Sequence, residues 1–328
     1  MVSGHRPARR KAVATVLRLI AALVMMASLT ACGWAGASSQ KKAAPASASG
    51  IVDEPTSFFN SFGGSSFHLY AEGIDWREPV GILYYFSGDY FKASQAEVFR
   101  PEGGILTGLA DEAAKRNMIL IAPIPPSAAG PNGHTWWERG DENLEWFLDL
   151  SSHVTSIVPA SSERTWFMGY SGGAEFITYY VLPDSTAAVG NGGAVMVGGG
   201  GAPTKALDSG QRSGMWLAWS VGDRDTQGAT NPPEWSAYDA ATEGEAFYAQ
   251  HGFDHTTITV IADAAHLDYD LPEILSDDMD RAGVEKVPPH SWFPFILVAI
   301  SAGASMIGLG ILLLWRAPRS KNRSRRPA

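Results

Sequence analysis

Apolar residues in this chain fall into short runs of strand length, separated by stretches whose apolar positions recur at helical spacing. Residues 67–71 form the first run. Residues 80–86 (Val-Gly-Ile-Leu-Tyr-Tyr-Phe) are almost continuously apolar, which suits a strand buried on both faces. Residues 106–116 are amphipathic and predict a helix. A strand over 118–123 follows, stopped by Pro125 and Pro126, and then a helix over 142–158 with Leu144, Phe147, Leu148, Ser151 and Val154 on one face. Further strands are expected at 164–168, 194–197, 215–221 and 256–261, with helices at 174–181, 234–251 and 271–280. Strands alternating with helices imply an α/β fold, a mostly parallel sheet covered on both faces. The sequence contains no internal repeat.

The two ends follow other patterns. Residues 1–31 carry five basic residues, then an apolar run, then Leu-Thr-Ala before Cys32, which reads as a secretory signal. That ending resembles the lipobox of bacterial lipoproteins, implying cleavage before Cys32 and lipidation of its sulfur. An ordinary signal peptide or an uncleaved anchor is the alternative. Cys32 is the only cysteine, so no intrachain disulfide is possible. Residues 32–55 read as a flexible tether and 276–291, charged and then Pro288-Pro289, as a stalk. Residues 292–315 run for roughly 24 positions without a charge, long enough to cross a bilayer, with Trp292 and Trp315 at the ends. The basic tail 316–328 then places the C-terminus in the cytoplasm and the rest outside. A cleaved sorting signal is the rival reading, although no Leu-Pro-x-Thr-Gly precedes the run.

Charge sharpens the picture of the central domain. All 34 acidic residues lie within 51–290, against 12 of the 25 basic ones, a balance of about −22. A nucleic-acid partner is therefore excluded, because phosphate contacts need a basic face.

Candidate chemistry centres on Gly169-Tyr170-Ser171-Gly172-Gly173, which fits G-x-S-x-G between a predicted strand and a predicted helix. A serine at such a turn needs small neighbours two positions either side, and the N–H of Gly172 points at the oxyanion of an acyl-transfer intermediate. Asp225 follows the strand at 215–221, and His266 follows the last strand. In a parallel sheet, carboxyl ends of strands share one edge, so Ser171, Asp225 and His266 are expected to meet as nucleophile, acid and base. Asp223 is a rival for the acid.

These residues give 64–275 a resemblance to the α/β-hydrolases, and most closely to exported esterases of the polyhydroxybutyrate-depolymerase-like and feruloyl-esterase-like group. Phe86-Ser87-Gly88-Asp89 stands where that group has a His-Gly oxyanion loop, with Ser87 in place of the histidine. The resemblance implies a hydrolase domain over 56–275 and a second oxyanion N–H from Asp89, with Tyr90 the alternative. It implies a serine hydrolase cleaving a small-molecule, lipid or polymer ester without cofactor or metal. An envelope acyltransferase using the same residues, or a non-catalytic binding protein with this fold, are the alternatives.

Other conspicuous residues add less. Tyr170, Tyr90, Trp136 and Trp137 are candidates for the substrate pocket, with core packing the competing role for the tryptophans. His251 and His255 have helical metal-pair spacing, but Gly252 and Phe253 point to a helix end. Gly198 to Gly201 lacks a following Lys-Ser or Lys-Thr and is no phosphate loop; it is expected to leave room beside the nucleophile. The loops 124–141 and 198–214 are the expected substrate walls.

Overall fold

A computed structural model describes residues 60–287 except 159, 185–190, 206, 208–212 and 231. The signal 1–31 with Cys32, the tether and the 292–315 span with its tail lie outside the described residues. Among those described, no helix is long and apolar enough to cross a membrane.

Eight strands form one sheet: β1 (Asn60–Phe62), β2 (Ser65–Tyr70), β3 (Val80–Phe86), β4 (Met118–Pro123), β5 (Ala160–Tyr170), β6 (Gly193–Val197), β7 (Trp216–Gly222) and β8 (His255–Ile261). Their spatial order is β1-β2-β4-β3-β5-β6-β7-β8. β1 and β2 are antiparallel, and every pairing from β4 to β8 is parallel. The helices are α1 (Gly104–Ala114), α2 (Gly140–Ile157), α3 (Gly172–Phe176, continued by a π turn over Ile177–Val181), α4 (Ala237–Gln250) and α5 (Leu271–Arg281).

Side-chain alternation explains why the central strands read as unbroken apolar runs. Ile82, Tyr84 and Phe86 of β3 join Phe167, Met196 and Trp219 in a core against α2, α3 and α4. Leu83 and Tyr85 face the other way, with Leu120, Met168 and Val197, onto α1 and α5. Both faces of β3 are thus excluded from water, and all seven of its residues are buried. From β3 the chain crosses through α1 to β4 on one side, then through α2 to β5 on the other. The order therefore reverses between β3 and β5, where open α/β sheets leave a crevice at the carboxyl ends of the strands.

Three differences from the sequence reading have physical causes. β1 is polar in sequence, but Gly63 and Gly64, both at positive φ, close it onto β2 as a two-residue hairpin. β5 extends back to Ala160 through polar residues, with a register shift opposite Val80. The folded domain also continues beyond 275 into the expected stalk. α5 runs to Arg281 with Met279 fully buried, Arg116 pairs with Asp280, and the Val287 N–H donates to the Lys115 carbonyl at 2.8 Å. The charges at 277–281 that suggested a stalk are the outer face and ion pairs of this helix.

Candidate active site

Strand β5 delivers Ser171 at φ 51° and ψ −121°, a strained conformation for a residue with a side chain. The surroundings hold it there. Its N–H donates to the Val197 carbonyl at 2.8 Å, and its own carbonyl accepts from Ala174 N–H at 2.8 Å. The flanking glycines are required by contact. A Cβ on Gly169 would lie 2.4 Å from the Gly173 carbonyl oxygen, and one on Gly173 2.1 Å from that of Phe86. The turn lifts Ser171 above the sheet at the reversal point, and the helix begins at once with Gly172 and Gly173 rather than at residue 174.

Three separated strand ends converge here. His266 Nε2 lies 2.8 Å from Ser171 Oγ, and His266 Nδ1 lies 2.7 Å from Asp225 Oδ2. A carboxylate only accepts, so the imidazole proton sits on Nδ1 and leaves Nε2 to accept from the serine hydroxyl. Asp225 is fully buried and His266 nearly so, whereas the rival Asp223 is exposed. Tyr269 Oη–H donates to Asp225 Oδ2 at 2.6 Å and accepts from the Gly222 N–H at 2.9 Å. Burial and the adjacent carboxylate raise the Tyr269 pKa, keeping it a donor.

The other predicted residues separate into two groups. Trp137 and Asp89 line the cleft beside Ser171 and Gly172. Trp136 does not: it is buried, edge-on to Phe86 with ring centroids 5.0 Å apart and packed on Phe176. Tyr90 is also buried, stacked on His134 and packed edge-on against Phe99. Its N–H donates to the His134 carbonyl, which removes it as an oxyanion donor. Tyr170 is not in the cleft wall either. Its ring stacks on His266 at 5.2 Å and its hydroxyl donates to the His266 carbonyl at 2.7 Å, so it seats the histidine loop. Large aromatic rings are drawn to whichever apolar space is nearest, and here that is the core.

The cleft, about 160 Å³, is completed by Glu175, Tyr179, Pro232 and Trp235, none of which the sequence singled out. The signal for Glu175 was its place four residues after Ser171, one helical turn along. Its carboxyl accepts from the N–H groups of Gly200 and Gly201 at 3.0 and 2.9 Å, which accounts for the glycine run. Gly198, Gly199 and Gly200 all have positive φ, and this turns two amides toward one buried acid. Gly199 also leaves the expected room, since a Cβ there would lie 3.2 Å from the Ser171 carbonyl oxygen. Burial pushes the Glu175 pKa up.

Ser87, which replaces the histidine of the resembling group, is fully buried, and its hydroxyl has no partner among the described residues. The loop after β3 still reaches Ser171, because a Cβ on Gly88 would lie 3.3 Å from Ser171 Cβ. No cluster of His, Cys, Asp or Glu among the described residues is arranged to hold a metal ion.

Strand order, elbow and the Ser, Asp, His sequence of strand ends together define the α/β-hydrolase fold. No family model matches the sequence, and no curated protein does. Among solved structures, the chain is similar to an uncharacterized protein from Bacillus cereus, at 15% identity and a TM-score of 0.46, over 64% of this chain and 62% of that one. It is also similar to a carboxylesterase from Mesorhizobium loti (14% identity, TM-score 0.43, 66% and 94% covered). A third is a poly(3-hydroxybutyrate) depolymerase from Bordetella parapertussis (12% identity, TM-score 0.43, 68% and 87% covered). With TM-scores below 0.5, the fold assignment rests on the strand order and the elbow themselves.

Proposed function

We propose that the protein is a serine hydrolase that cleaves a carboxylic ester through an acyl-Ser171 intermediate. The observation that carries this reading is the hydrogen-bonded chain from Ser171 Oγ through His266 to Asp225, opening into a cleft at the carboxyl edge of the sheet. His266 Nε2 takes the hydroxyl proton as Oγ bonds to the substrate carbonyl carbon. The N–H of Gly172, with that of Asp89, stabilises the oxyanion. Collapse expels the alcohol, which takes the proton from His266, and water repeats the sequence to release the acid. Asp225 holds the tautomer and offsets the imidazolium charge.

The cleft is below the range usual for drug-sized ligands, roughly 300–1,000 Å³. A compact acyl group fits it, with the alcohol portion, whether small molecule, lipid or polymer, left outside. The sequence supports export and attachment to the membrane through lipidated Cys32 and the 292–315 span, with the hydrolase domain on the extracytoplasmic side.

The test is Ser171→Ala in the full chain. Turnover of p-nitrophenyl acetate or butyrate and labelling by a fluorophosphonate should both disappear while the thermal transition is retained. Labelling at another residue would refute the assignment.

A further inference from the structure

Asp89 enters the mechanism above only through its backbone, yet its side chain lies against Gly172, the residue of the proposed oxyanion donor. A Cβ on Gly172 would lie 1.9 Å from Asp89 Oδ1 and 2.8 Å from Oδ2, so the carboxyl occupies the space that this glycine leaves open. Its two oxygens are not equivalent. The Trp137 indole N–H, which only donates, is 2.8 Å from Oδ2 and fixes that oxygen as an acceptor. Oδ1 is thereby turned toward Gly172 and the cleft.

An ionised carboxylate in that position opposes the chemistry. Negative charge develops on the substrate oxygen beside Gly172 N–H, and a second negative charge a few ångströms away raises the barrier. A neutral carboxyl does the reverse, since its proton, excluded from Oδ2 by the indole, is carried on Oδ1 and faces the same oxygen. We propose that Asp89 acts as a neutral acid, its Oδ1–H donating a third hydrogen bond to the oxyanion alongside the N–H groups of Gly172 and Asp89. No proton is transferred in this step: the bond strengthens as the carbonyl oxygen gains charge and relaxes when the tetrahedral intermediate collapses.

The surroundings keep the acid protonated. Asp89 is exposed as a residue at the cleft mouth, but Gly172 and Trp137 close on its carboxyl, and local desolvation of that group is the main cause raising its pKa from 3.8 to about 7. The Trp137 hydrogen bond works the other way, and Glu175 on α3 and Glu138 on the loop before α2 raise it further. Among the described residues, the other titratable groups nearby are Tyr179 on α3, in the cleft lining, and His266, bonded to Ser171, and no Lys or Arg lines the cleft. Glu175 is tied to two backbone amides, which leaves Asp89 as the acid free to turn its proton to substrate.

The inference rests on the serine-hydrolase reading, and one pair of variants separates the two. In the wild type, kcat/KM for p-nitrophenyl acetate should fall as pH rises through about 7, as Asp89 ionises. Asp89→Asn keeps a donor that does not titrate, so it should retain activity within about tenfold and lose that decline. Asp89→Ala should lose on the order of a hundredfold in kcat, with KM little changed. Wild-type kcat/KM that rises through this range, a decline that persists in Asp89→Asn, or an inactive Asp89→Asn overturns the proposal. Fluorophosphonate labelling of Ser171 at neutral pH tells which level has failed. With labelling intact, those outcomes sink the role of Asp89 alone; without labelling in the wild type, the hydrolase reading fails and takes this role with it.

Discussion

Tyr269 donates its hydroxyl hydrogen to the same Asp225 oxygen that receives the His266 Nδ1–H, at 2.6 Å against 2.7 Å for the imidazole. Two donors on one oxygen fix the carboxylate along a single direction, and its other oxygen, Oδ1, is buried without a partner among the described residues. Tyr269 therefore aims Asp225 rather than touching substrate. Tyr269→Phe should reduce kcat on the order of tenfold, or about 1.4 kcal/mol, by loosening the carboxylate behind His266. KM should hardly move, because Tyr269 does not line the cleft. Steady-state kinetics with p-nitrophenyl butyrate separate the two constants, and a rise in KM alone would place the tyrosine in the binding site instead.

The two aspartates on one turn differ sharply in setting. Asp225 is fully buried against His266, while Asp223 is exposed and its N–H continues the sheet pairing to Ile261. Asp225→Asn offers an amide that can donate to Nδ1, favouring the tautomer whose Nε2 carries the proton and cannot take one from Ser171. A loss on the order of 10⁴ in kcat is expected, with the fold kept. Asp223→Asn should leave kcat within about twofold. Equal losses in both variants would mean that the turn, and not the carboxylate at 225, sets the rate.

Much of this site was legible because the residues concerned are constrained by backbone geometry. Gly169 and Gly173 cannot carry a side chain beside the elbow, and the apolar runs of β3 and β5 mark strands buried on both faces. Ser171, Asp225 and His266 then follow from where strands end. The pocket was less legible, since a ring serves equally well as wall or as core. Trp136 and Trp137 are neighbours in sequence, yet one packs on Phe86 and the other reaches Asp89, and local pattern does not distinguish them. Glu175 and Tyr269 act through partners 25 and 44 residues away, separations at which sequence carries no directional signal. The stalk was misplaced for a related reason. A charged amphipathic helix lying on α1 through Met279 and Arg116 has the composition of a solvated linker.

That helix carries a measurable pH dependence. Asp278 on α5 is 1% exposed, and burial raises its pKa from 3.8 to about 6 despite the nearby Arg281 guanidinium, which works to lower it. The folded state therefore binds this proton more tightly than the unfolded chain does. Its contribution to stability is fully present below the ordinary value of 3.8 and is lost as pH rises through about 6. At neutral pH the protein holds an ionised carboxylate that the unfolded chain would hydrate better, a cost of about 1–3 kcal/mol. Asp278→Asn removes the titration, and Arg281, itself partly exposed, can turn to water. The variant should be more stable than the wild type at pH 7 by up to that amount, and the gain should shrink on acidification toward pH 4. Urea unfolding at a series of pH values measures both curves. A gain that is constant with pH, or a variant destabilised at pH 7, would show that the ion pair with Arg281 outweighs the burial of the acid.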